Sequence, residues 1–91
     1  MSPQPQSHLD HLPWLIKTIP EDTLRDYRSA LFRLRSTEEP LIVLDALTTM
    51  QRITQDIERI AVAEARTRGA TWGQVAEAVG RTRQAVEQRF G

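Results

Sequence analysis

The chain has 91 residues, with 12 basic and 12 acidic side chains and no cysteine. That length supports one small domain short of buried surface on its own, so a second chain is a natural source of the missing burial. The lack of cysteine excludes disulfide staples, thiolate zinc sites and cysteine nucleophiles. Nothing at the N-terminus reads as a secretory signal, and no stretch nears the roughly 20 apolar residues of a membrane span, so a cytoplasmic protein is expected.

Zero net charge first argues against nucleic acid, because affinity for DNA comes largely from cations set against phosphates. The distribution says more. Residues 1–63 carry seven basic and nine acidic side chains, whereas 64–91 hold Arg66, Arg68, Arg81, Arg83 and Arg89 against Glu64, Glu77 and Glu87. Eleven of the 12 cations are arginine, whose planar fork suits phosphates and guanine edges. Codon usage in a G+C-rich genome would give the same excess.

Residues 1–11 (MSPQPQSHLDH) are polar, proline-punctuated and without periodicity, and are expected to form a loose tail. His8 and His11 lie three apart there with only Asp10 nearby, too little for a metal site. Leu12, Trp14, Leu15, Ile16 and Ile19 follow between Pro13 and Pro20, an apolar hook expected to pack on the helices or on a second subunit. A first full helix is predicted from about Pro20 to Arg35. Proline suits an opening turn, Glu21 and Asp22 complement the helix dipole, and Leu24, Tyr27, Leu31 and Leu34 form one stripe.

Ser36 and Thr37 break that pattern, and Pro40 sits where a new helix starts. Between 39 and 68 Val43, Ala46, Met50, Ile53, Ile57 and Ile60 recur at alternating steps of four and three, which predicts one long helix. Leu44, Leu47 and Ala61 widen its apolar face. On the order of 45 Å of helix exceeds what a domain this small needs for its own core, and a homodimer through this helix follows. A break near Thr48, Thr49 or Thr54 is the competing expectation. A membrane-surface role is disfavoured because Asp45, Asp56 and Glu58 accompany Arg52 and Arg59 on the polar side.

Gly69 reads as the left-handed end of the long helix. Thr71 with Gln74 three residues on reads as a capping box, opening a short helix in which Trp72, Val75, Ala76 and Val79 share a face. Gly80 stops it. Thr82 caps a last helix with Ala85, Val86 and Phe90 inward and Arg83, Gln84, Glu87 and Gln88 outward. Ala76 is small where the two helices would cross, Gly80 permits a positive φ, and Val75, Val79 and Val86 fill the wedge between them.

The segment GATWGQVAEAVGRTRQAVEQRFG resembles the helix-turn-helix of many bacterial regulators and of the promoter-reading part of sigma factors, most of all the copies that close many small proteins of high-G+C bacteria. The likeness spans some 20 residues, about a quarter of the chain. Arg81 and Arg89 depart from it, standing where the family usually has apolar residues; Phe90 can replace the second. The resemblance implies that the helix 82–90 enters a major groove, with Thr82, Arg83, Gln84, Glu87 and Gln88 as readers. Glu87 would accept from cytosine or orient Arg83 one turn away. Phosphates would fall to Arg81 and Thr71, then to Arg66, Arg68 and Arg89.

The expectation is an all-α fold of about four helices with a long central helix and a C-terminal tri-helical helix-turn-helix. Residues 1–11 would be tail, 12–56 an arm and dimerisation helices, and 57–91 the unit that binds double-stranded DNA. The function expected is sequence-specific DNA binding for transcriptional control, without a cofactor or metal. The alternative is a protein-interaction module whose N-terminal half holds a partner. No nucleophile with a base and no glycine-rich phosphate loop is present, so an enzyme is not expected.

Overall fold

A computed structural model describes residues 12–91; the expected tail, with His8, Asp10 and His11, lies outside the described residues. The described residues are all helical, without a strand. The described residues form five helices: α1 (Trp14–Thr18), α2 (Glu21–Ser36), α3 (Pro40–Thr67), α4 (Trp72–Val79) and α5 (Arg83–Phe90). They fall into two compact units, one ending at Ile53 and the other Thr54–Gly91, with α3 contributing to both.

The described residues of the first unit hold one helix more than expected, because the apolar hook is itself coiled. Pro13 needs no amide hydrogen at this position, and its carbonyl accepts from the amides of Ile16 and Lys17 at 3.0 and 3.3 Å. The Thr18 hydroxyl donates to the Trp14 carbonyl at 2.7 Å. Ile19 precedes Pro20 and is therefore extended, at φ −80° and ψ 151°, which ends α1 after five residues. Ile19 itself is buried.

In α2 the acidic pair Glu21 and Asp22 occupies the first turn and Arg33 and Arg35 the last, the arrangement its dipole favours. The stripe Leu24, Tyr27, Leu31 and Leu34 is half-buried, and Ala30 between them is fully buried. The Ser36 hydroxyl turns back to the Phe32 carbonyl and the Thr37 hydroxyl accepts from the Glu39 amide, which carries the chain out of one helix and into the next. Arg33 on α2 pairs with Asp45 on α3 at 2.7 Å.

The long helix α3 is a single element of 28 residues. Thr48 does not break it; its hydroxyl donates to the Leu44 carbonyl at 2.9 Å, within the helix. Along the stripe expected to be inward, Ala46 and Ile53 are buried, and Val43, Met50, Ile57 and Ile60 half-buried. Leu44 and Leu47, which widen that stripe in sequence, are exposed.

The second unit has its own core. Val62 from the end of α3, Val75 and Ala76 from α4 and Val86 from α5 are buried together, with Ala65, Ala70, Trp72, Val79 and Phe90 packed around them. Val86 has no exposed surface.

Candidate nucleic-acid interface

Two glycine-terminated helix ends set the geometry of the second unit. At the end of α3, Gly69 takes φ 94°. The Gly69 amide donates to the Arg66 carbonyl at 3.0 Å and the Ala70 amide to the Ala65 carbonyl at 2.9 Å, so carbonyls left over by the helix are satisfied. Ala65 and Ala70 both lie against the core, supplying the apolar contact that accompanies such a cap.

The chain repeats the device eleven residues later. Gly80 is left-handed, at φ 69° and ψ 32°. Its amide donates to the Glu77 carbonyl at 3.3 Å, and the Arg81 amide to the Ala76 carbonyl at 3.0 Å. Here the residue after the glycine is Arg81, exposed, in the place that Ala70 fills at the first cap. A Cβ on Gly80 would meet nothing within 4 Å, so the requirement for glycine there is conformational rather than steric.

Both short helices start on a threonine. The Thr71 hydroxyl accepts from the Gln74 amide at 3.1 Å while the Gln74 side-chain oxygen accepts from the Thr71 amide at 2.9 Å, a complete capping box. Thr82 accepts from the Ala85 amide at 3.1 Å. Thr71 and Thr82 thus hold the N-termini of α4 and α5 in place, with their oxygens already engaged.

With Val86 turned fully inward and Ala85 and Phe90 half-buried, α5 leaves Arg83, Gln84 and Gln88 exposed and Glu87 half-buried. Arg83 and Glu87 form an ion pair one turn apart at 3.5 Å. The seven expected site residues therefore lie in three places: Thr71 at the start of α4, Arg81 and Thr82 in the turn, and Arg83, Gln84, Glu87 and Gln88 along α5.

The other arginines of this unit have intramolecular partners. Arg66 donates to the Ala70 carbonyl at 2.7 Å, and its guanidinium lies 4.3 Å from the Trp72 ring centroid. This braces the end of α3 against the start of α4 by hydrogen bond and cation–π contact. Arg68 pairs with Glu64 at 2.8 Å and Arg59 with Asp56. Arg89 reaches Glu58 at 3.0 Å, tying the last turn of α5 to α3, with both side chains more than two-thirds covered. Among the described residues of the unit, Arg81 makes no ion pair.

The sequence offered no signal for the Glu58–Arg89 tie: the two stand far apart along the chain, on helices whose packing brings them together. It explains the charge at position 89. Phe90 packs on the core while Arg89 turns aside to an acid on α3. Comparison of the chain with protein-family models, with curated proteins and with solved structures gives no match.

Proposed function

We propose that the second unit is a tri-helical helix-turn-helix that binds double-stranded DNA, with α5 as the helix that enters the major groove, and that the protein is a sequence-specific transcriptional regulator rather than an enzyme. The observation that carries this reading is the pairing of a rigid support with an exposed polar outward surface. α4 and α5 are each eight residues, joined by a left-handed Gly80 and packed on the end of α3, while Arg83, Gln84 and Gln88 on α5 face water. Side chains carried on short, well-anchored helices meet base edges with little freedom left to lose.

On this reading Arg83 and Gln84 read bases, Arg83 suiting guanine and Gln84 adenine. Thr82 and Gln88 flank them. Glu87 holds Arg83 through their ion pair or accepts from cytosine. Arg81 and the N-terminus of α4 at Thr71 meet phosphates. Arg66, Arg68 and Arg89 are better read as braces of the unit than as phosphate contacts, given their intramolecular partners.

The test is binding of a fluorescent duplex taken from upstream of the protein's own gene, read by anisotropy. Arg83→Ala with Gln84→Ala is expected to abolish preference for that duplex and to leave the thermal transition unchanged, since both side chains are exposed. Preference surviving that double change would remove α5 from the reading role. A protein-interaction module is the second reading, favoured by zero net charge and by exposed leucines on α3; its binding would be insensitive to salt where phosphate contacts weaken steeply.

A further inference from the structure

The first unit buries little and exposes much. Among its described residues the buried apolar ones are Ile19, Ala30, Ala46 and Ile53, two of them alanines, while Leu41 is 78% and Leu44 57% exposed and Leu47 is also open. At 3.6 residues per turn Leu41, Leu44, Leu47, Thr48 and Gln51 occupy one arc of about 120° on α3. That arc carries no charge over three turns, in a chain of which 26% is charged. A helix face made for water alone ordinarily carries charged side chains; depletion of charge around apolar side chains marks the centre of a protein contact.

The two edges of the arc differ. On one, Asp45 and Arg52 stand seven residues apart, both exposed. Asp45 holds Arg33 through one oxygen yet its side chain remains 69% exposed, and Arg52 forms no ion pair among the described residues. On the other edge are Val43 and Met50, half-buried and uncharged. When two copies of a helix pair antiparallel about a two-fold axis, like edges meet. When they pair parallel, each edge meets the opposite one. Only the antiparallel arrangement sets Asp45 of each copy against Arg52 of the other, and the midpoint of those two positions falls between Thr48 and Thr49.

We propose that the Leu41, Leu44 and Leu47 face of α3 is the interface of a homodimer, antiparallel, with its two-fold axis passing between Thr48 and Thr49. Leu47 of each copy packs near the axis, and two Asp45–Arg52 pairs close one edge. The inference concerns the first unit alone and does not depend on DNA binding by the second. A contact confined to about 18 Å of one helix is smaller than the roughly 800 Å² per partner of a standard interface. The dimer is therefore expected to dissociate on dilution.

The absence of cysteine from the chain makes the orientation directly readable. In the antiparallel dimer the two Thr48 positions face each other across the axis. The two Leu41 positions are about 22 Å apart along the helix direction, far beyond the roughly 7 Å over which a disulfide can bridge Cα atoms. Full-length Thr48→Cys is expected to form an interchain disulfide under mild oxidation and Leu41→Cys to remain monomeric on a non-reducing gel; a parallel dimer would cross-link Leu41→Cys as readily. Sedimentation equilibrium of the unmodified protein, without DNA, is expected to give a monomer–dimer equilibrium. Leu44→Glu should weaken it by about tenfold or more by setting a charge in the contact, with helicity by circular dichroism unchanged. Cross-linking through Leu41→Cys, or a wild-type monomer up to about 1 mM, would overturn the proposal, the latter leaving this face to a different protein.

Discussion

Arg81 occupies the position after a left-handed glycine, where an apolar side chain ordinarily packs back on the helix just ended. At the equivalent place after Gly69 the chain has Ala70, lying against the core. A cation at that corner forgoes the packing contact, and the phosphate role proposed for it accounts for the choice. Arg81→Leu is expected to leave thermal stability equal or higher while lowering affinity for every duplex alike, with the salt dependence of binding shallower by about one counterion. Gly80→Ala isolates the conformational demand at the same turn. Since an added Cβ would touch nothing, the loss in urea denaturation should be the left-handed penalty alone, about 1–2 kcal/mol. Gly69, Gly80, Thr71 with Gln74, and Thr82 were all legible in sequence because each acts on neighbours within a few residues. Capping and turn chemistry are local.

Elements were legible where periodicity ran long and obscure where it did not. The α2 and α3 helices follow from stripes at three- and four-residue steps bounded by Pro20 and Pro40, and their observed limits, Glu21–Ser36 and Pro40–Thr67, lie within a residue or so of the expected ones. α1 was hidden because a helix of five residues, set between two prolines, is too short to display a period. The outward position of Leu44 and Leu47 was hidden for another reason: periodicity groups apolar residues on a face and is silent on which part of that face is covered. The Arg89–Glu58 tie depends on how α5 packs on α3, and no local pattern encodes it. A double-mutant cycle with Glu58→Gln and Arg89→Gln should give a coupling of about 0.5–1 kcal/mol, at the upper end for surface pairs because both side chains are largely covered. At the start of α4, Thr71→Ala removes the hydroxyl half of the capping box and should cost about 1 kcal/mol in urea denaturation.

At the scale of the whole molecule, the two units divide the work proposed for it. The second, with a core of Val62, Val75, Ala76 and Val86, is a rigid carrier for an exposed polar helix. The first, with a thin core and exposed leucines, is suited to holding another chain. One helix-turn-helix with few uncommitted cations binds DNA weakly, and a second copy gives avidity and a two-fold-related site. DNA binding proposed for the second unit is decided by salt titration of the purified protein on its own upstream duplex beside a scrambled duplex of equal length. The expected result is tight binding to the upstream duplex that weakens steeply as salt rises and is not shared by the scrambled one. Failure to bind either duplex at low salt would contradict it.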